Sequence, residues 1–266
     1  MPSINLESTS GDPTTRMAGH SKWKQIKRQK AVVDQRRGAQ FTKLGREITM
    51  AAKVGGGDPN GNPRLRLAIL KAKQDNMPND IIDRAIQKAV GGVDASQLDE
   101  IVYEGYGPGG TAVMVEAVTD NRNRTVAEVR NVFNRGGGNL GETGSVGWQF
   151  ATRGVVSLSL ASGTDAEEVA LLAIDAGAED FTVEEEGISV FTKPEDLMAV
   201  RQALVDLGHE PDSAEIDRVP TTTVPLDAGA ALQTLKMLEK LEDLDDVQRV
   251  YSNADFPEEV LAGYDG

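Results

Sequence analysis

The feature that most constrains this chain is a change of hydrophobic period near residue 99. Before it, apolar residues recur every three or four positions. After it, β-branched residues alternate with period two, with helical stretches between the runs. One chain must therefore hold a helical unit followed by α/β units. At 266 residues it is long enough for two or three of them.

In the first part, Phe41, Leu44, Ile48 and Ala52 mark one face of a helix over 34–53, ended by Gly55-Gly56-Gly57. Arg36, Lys43 and Arg46 fall on the opposite side. A second helix is expected over 63–75, with Pro63 in its first turn and Leu65, Ala68, Ile69 and Ala72 on one face. A third follows Pro78 and carries Ile82, Ala85, Ile86 and Ala89 up to Gly91-Gly92. A short basic helix after Ser21, with Trp23 and Ile26 on one side, is marginal by itself. Residues 18–92 read as a basic helical domain. Residues 1–17 are polar and aperiodic and read as a disordered tail, with Met17 where the folded part is expected to begin.

Further on, strands are expected over 101–104 and 111–119, separated by the turn GYGPGG, then a helix over 125–134 with Val126, Val129, Val132 and Phe133 inward. A glycine-rich loop (136–145) and a strand over 146–150 follow. A second unit reads strand 155–160, helix 165–176, strands 180–184 and 188–192, helix 195–207 and strand 213–219. That β-α-β-β-α-β order is ferredoxin-like. The remaining helix 228–241 and strand 247–251 would close the open edge of the first α/β unit. The expectation is a multidomain α+β protein. Residues 93–150 plus 220–266 form a discontinuous α/β domain. Residues 153–219 form a ferredoxin-like domain inserted into it, entered at Arg153 and left at Val219.

Charge divides the chain in the same place. The formal total is −14. Residues 17–90 carry sixteen basic and six acidic side chains, net +10, whereas residues 91–266 are net −23. In 17–53 ten Lys or Arg face only Asp34 and Glu47. This asymmetry points to a polyanionic partner, most simply nucleic acid, held by the basic end and repelled by the rest. The cations Lys22, Lys24, Lys27, Arg28, Lys30, Arg36, Arg37, Lys43 and Arg46 are the candidate phosphate contacts, against the plainer reading of a solvated face. Trp23 has two open readings, stacking on a base or anchoring the helical core. His20 stands without a second ligand-type neighbour, so it reads as neither metal ligand nor base.

Several functions are excluded or disfavoured. There is no Cys, and the two His are His20 and His209, which removes thiolate and histidine-rich metal sites. No apolar run reaches membrane length and no signal-peptide core is present. A soluble cytoplasmic protein without cofactor, membrane contact or small-molecule substrate is expected. Gly136–Gly138 with Gly141 and Gly144 lack the Gly-Lys-Ser/Thr of a phosphate loop and read as a flexible connection. Arg122, Arg124, Arg130 and Arg135 either extend an anion groove or pair with the many carboxylates. The acidic runs 184–186 and 243–246 read as solvated surface. No catalytic constellation is visible.

Three long stretches carry a resemblance. AGHSKWKQIKRQKAVVDQRRGAQFTKLGREI (18–48), GGGDPNGNPRLRLAILKAKQDNMPNDIIDRAI (55–86) and YEGYGPGGTAVMVEAVTDNRNRTVAEVRNVFNRGGGNLGETGSVGWQF (103–150) resemble the YebC/PmpR family. The mitochondrial relative of that family is the translational activator of cytochrome oxidase. The resemblance spans about residues 17–257. It implies one helical and two α/β domains and a non-enzymatic cytoplasmic protein, a probable transcriptional regulator that binds DNA. It also implies a second role: binding the ribosome, through ribosomal RNA or tRNA, and relieving stalling at proline-rich stretches. Matched position by position, it implies nucleic-acid contacts at His20, Ser21, Lys22, Trp23, Lys24 and Lys27. The rival from another class is a protein-only scaffold whose acidic part binds basic partners.

Overall fold

A computed structural model of the chain describes residues 35–91, 98–161, 163–184 and 187–264. The first group is helical. Helix α1 (Gln35–Gly55), α2 (Pro63–Gln74) and α3 (Asn79–Val90) bury Leu44, Ile48, Ala51, Ala52, Leu65, Ala68, Ala72, Met77 and Ile82 in one core. Asn62 fixes the first corner. Its Oδ1 accepts from the Leu65 N–H at 3.1 Å and caps α2, while Nδ2 donates to the carbonyls of Ala51 and Gly56, both at 2.8 Å. Gly56 (φ +86) supplies the left-handed residue that ends α1.

The first sheet contains β1 (Asp99–Tyr106), β2 (Ala112–Thr119), the two-residue β3 (Asn139–Leu140) and β9 (Val247–Ser252), in the order β3-β1-β2-β9 and antiparallel throughout. In β2 the two faces separate with period two. Val113, Val115 and Ala117 join the cluster under α4 (Arg122–Arg135) and α7 (Ala228–Glu242), with Val129, Phe133, Leu235 and Leu238. Ala112 and Met114 face the other way, onto Val146, Phe150 and Tyr251. Residues on either side of the second sheet's sequence thus share one core.

That second sheet has the order β5-β6-β4-β7, formed by β4 (Phe150–Ser159), β5 (Asp180–Glu184), β6 (Gly187–Thr192) and β7 (Ser213–Pro220). Helices α5 (Ala166–Asp175) and α6 (Leu197–Asp206) cover one face over Val156, Leu158, Ile188 and Val190. A parallel bridge between β8 (Val224–Pro225) and β10 (Ala254–Asp255) and the short α8 (Glu258–Ala262) complete the chain.

One boundary differs from expectation. The separate strands 146–150 and 155–160 are replaced by a turn of 3-10 helix, Gly147–Gln149, and the ten-residue β4. The cause is chemical: the N–H groups of Val146 and Gly147 are bonded to the Glu104 carboxylate and are withdrawn from strand pairing. Arg153 is therefore mid-strand, opposite Asp217.

Candidate nucleic-acid interface

Of the candidate contacts, His20, Ser21, Lys22, Trp23, Lys24, Lys27, Arg28 and Lys30 lie outside the described residues. Arg36 and Arg37 belong to the first turn of α1. Lys43 and Arg46, one turn apart, do lie on the face of α1 away from the helical core, but that face is occupied. Lys43 Nζ donates to the carbonyl of Glu242, and Arg46 Nη1 donates to that of Asp245 at 2.5 Å. The Glu242 carbonyl is the last of α7, where the helix dipole favours a cation, and that of Asp245 lies in the turn that follows.

Arg46 also meets Asp246, which is only 2% exposed, at 3.0 Å in an ionic contact without hydrogen-bond alignment. Asp246 Oδ2 accepts from Thr119 (3.0 Å), Thr125 (2.7 Å) and Arg124 (2.7 Å). Burial alone would raise the pKa of this carboxyl, but the bonds from Arg124, Thr125 and Thr119 and the Arg46 charge hold it below the usual carboxylate range. The solvated-surface reading of 243–246 is thus corrected at its last member. The sequence run gave no sign that one of its three acids turns inward.

The same docking continues along α2. Arg64 bridges Glu47 of α1 (3.2 Å) and Glu100 of β1, and its pKa is raised chiefly by the Glu100 bond. Lys71 pairs with Glu215 of β7 at 3.2 Å, Lys53 donates to the Leu98 carbonyl at 2.9 Å, and Gln74 reaches the Asp212 carbonyl at 3.1 Å. Glu47, Arg64, Lys71 and Glu100 border a cleft of about 400 Å³ where the helical region meets both sheets, lined also by Glu116, Arg218 and Arg249. Across it Arg218 pairs with Glu116 (3.4 Å) and Arg249 donates to the Ile216 carbonyl (2.7 Å).

Other exposed cations are differently placed. Arg66 donates to the carbonyls of Pro59 and Asn60, both at 3.1 Å. Lys73 and Lys88 are exposed, with no ion pair among the described residues. Arg122 pairs with Asp99 (2.8 Å), and Arg124 with Asp120 (3.0 Å) as well as Asp246. Arg130 and Arg135 remain exposed on α4 without an ion pair among the described residues.

The glycine run is a connection, but a pinned one. A Cβ on Gly138 would lie 2.3 Å from the Tyr106 carbonyl, and one on Gly136 2.5 Å from Met237 Cγ. The loop's donors converge on an internal anion: Gly144, Val146 and Gly147 donate to Glu104 at 2.8, 2.8 and 2.6 Å. Burial pushes the Glu104 pKa up, yet these three bonds outweigh it and leave it lowered. A phosphate would find those groups taken. Trp148, 75% exposed, stands on this loop with Nε1–H donating to the Ser145 carbonyl at 3.2 Å. Sequence reasoning missed it, since an indole in an apolar run is ordinarily assigned to a core.

Among the described residues no group of three or more His, Cys, Asp or Glu is placed to hold a metal ion, and no helix is long and apolar enough to cross a membrane. Of the acidic run 184–186, residues 185 and 186 lie outside the described residues.

A helical region with a cationic face, set against two mixed α/β sheets, is the class of protein that the fold defines. The chain belongs to the TACO1/YebC family. Residues 21–92 match the family's N-terminal domain and residues 98–254 its second and third domains. A probable transcriptional regulatory protein of Thermomicrobium roseum is 54% identical over 245 residues, covering 92% of this chain and 98% of that one. One of Herpetosiphon aurantiacus, described in the same words, is 52% identical over 248 residues, with 93% and 98% covered. The crystal structure of a conserved hypothetical protein from Aquifex aeolicus superimposes with a TM-score of 0.80 at 47% identity, covering 87% of this chain and 96% of that one.

Proposed function

We propose that this protein is a non-enzymatic regulator of gene expression that binds nucleic acid through its basic N-terminal region, in the first instance as a DNA-binding transcriptional regulator. The observation that carries the reading is the segregation of charge, +10 over residues 17–90 against −23 beyond them. Membership of a family whose relatives are described as probable transcriptional regulatory proteins agrees with it. The contacts proposed are His20, Ser21, Lys22, Trp23, Lys24, Lys27, Arg28, Lys30, Arg36 and Arg37, with cytoplasmic residence. Lys43 and Arg46 join them only if their present partners are exchanged.

A second reading, contact with ribosomal RNA or tRNA on the ribosome, is favoured by one observation. Apart from exposed Lys73, the cations of α1 and α2 whose side chains the structure describes are turned onto the body or onto backbone carbonyls, and no described helix offers a row of side chains suited to base edges. Backbone contact without base reading suits a structured RNA as well as a duplex. The domain division is part of the proposal. A ferredoxin-like unit over 153–219 inserted in 93–150 plus 220–266 is supported by the strand order β5-β6-β4-β7 and by the core shared between residues 103–133 and 226–264.

The test is a competition between a promoter duplex and purified large ribosomal subunits, with the variant Lys22→Glu/Lys24→Glu/Lys27→Glu/Arg28→Glu alongside. Binding should weaken steeply with salt and be lost in the variant. Sequence-selective preference for the duplex would retire the ribosome reading, and preference for subunits the reverse. A variant that binds both as wild type does would remove the electrostatic account altogether.

A further inference from the structure

The cations that dock the helical region carry the chemistry a phosphate backbone engages. We propose that the face bearing Lys43, Arg46, Lys53, Arg64 and Lys71 is a second nucleic-acid-binding surface, covered by the acidic body in this conformation and uncovered when a polyanion competes for it. The inference rests on the nucleic-acid reading above and adds its regulation.

Three observations carry it. First, each of the five side chains ends on an acceptor outside the helical region: the carbonyls of Glu242, Asp245 and Leu98, and the carboxylates of Asp246, Glu100 and Glu215. A phosphate oxygen is the same kind of partner, so release exchanges one set of charge-assisted bonds for another. Second, the junction has little apolar cement. Among the described residues, Leu67 is the one side chain of the helical region that packs into another unit's hydrophobic cluster. Beside it lies the cleft, walled by Leu44, Ala68, Ile101 and Val118 as well as by charged side chains, through which ions can reach Arg64, Lys71 and Glu100. Third, the helical region has a core of its own, from Leu44 to Ile82, whose members pack on one another. Docking contacts of this kind are weak, screenable and reversible.

The chain has no cysteine, so a Lys88→Cys/Lys236→Cys pair can carry donor and acceptor dyes on exposed positions of α3 and α7. The probe is a 20-base-pair mixed-sequence DNA duplex at low ionic strength, and the seat variant is Glu100→Gln/Glu215→Gln, which removes the body's carboxylate partners of Arg64 and Lys71 without altering a cation. Energy transfer is expected to fall as duplex saturates the protein, and to fall with sodium chloride alone. The seat variant is expected to start from lower transfer and to bind the duplex several-fold more tightly, with a steeper salt slope. The companion variant Arg64→Gln/Lys71→Gln should also start from lower transfer but bind no more tightly than wild type. Duplex binding with unchanged transfer, or lowered transfer without tighter binding by the seat variant, overturns the covered surface and leaves the nucleic-acid reading standing. No duplex binding by either wild type or seat variant overturns both, and that failure is read from the binding isotherm, not from the dyes.

Discussion

The two sheets are joined to each other by paired, continuous backbone with Arg218–Glu116 and Arg249 added across them, whereas the helical region is fastened to them chiefly by charged side chains. The chain enters and leaves the second sheet along β4 and β7, which pair within that sheet without a break from Phe150 opposite Pro220 to Ser157 opposite Ser213, and the first residues of β4 have β7 as their only ladder partner. A ladder of that kind fixes geometry whatever the salt concentration. The helical region is fastened by Arg46, Arg64 and Lys71 to acids of graded exposure: Asp246 at 2%, Glu215 at 17% and Glu100 at 40%. The difference teaches that an acidic residue's role here follows its burial. Buried and held by several donors, it is a structural anchor; at the rim, it is an exchangeable counterion.

Asp246 is where the two kinds of join meet, so it should give the largest effect. Asp246→Ala leaves Arg124, Thr119 and Thr125 without their shared acceptor and is expected to cost about 3–5 kcal/mol in urea unfolding. Arg46→Ala removes the crossing contacts to Asp246 and to the Asp245 carbonyl and leaves the bonds to Asp246 Oδ2 intact; its cost should be about 1 kcal/mol. Equal losses would mean the anchor works chiefly across the junction, and the comparison would fail.

Glu104 is the second anchor. Glu104→Gln offers one oxygen and one N–H₂ group to three backbone donors, and should cost about 1.5–3 kcal/mol. Both anchors have pKa values lowered in the folded state. The unfolded chain therefore binds more protons than the folded one in the acid range. Their contribution is complete above the unfolded carboxyl pKa of about 4 and is lost as pH falls through the lowered folded values. The urea midpoint should hold through neutrality and drop below about pH 4. In the Asp246→Asn/Glu104→Gln double variant the acid limb should flatten; an unchanged limb would place the acid sensitivity elsewhere.

Gly138→Ala probes the loop that Glu104 organises. The added Cβ meets backbone, the Tyr106 carbonyl at 2.3 Å, which cannot swing aside. A loss of about 1–3 kcal/mol in thermal or urea unfolding is expected. A neutral substitution would show the loop to be as loose as its composition suggests.

Periodicity made the elements legible and left their joints obscure. Leu44, Ile48 and Ala52 announced the buried face of α1, and the alternation in β2 announced its two faces, because burial on a regular element repeats with the element's own period. The turn at Gly147–Gln149 was misread as strand because its cause, Glu104, lies forty residues away in sequence. The same limit governs the candidate interface. A tally of Lys and Arg reports total charge but not its partner. Nothing local distinguishes Lys43 and Arg46, spent on the end of α7, from Lys73 and Lys88, which stand exposed.

The smallest effect expected belongs to the rim, and it is the most discriminating. Arg64 and Glu100 are 38% and 40% exposed, so their pair gains little against hydration and is screened by salt. A double-mutant cycle on Arg64→Gln and Glu100→Gln, read by urea unfolding, should give a coupling of about 0.2–1 kcal/mol at low salt that vanishes near 1 M. The matching cycle on Arg124→Gln and Asp246→Asn, with its carboxylate 2% exposed, should retain most of its coupling at the same salt. If the two cycles respond alike, the distinction between anchor and counterion is wrong, and the helical region is no more releasable than the paired strands β4 and β7.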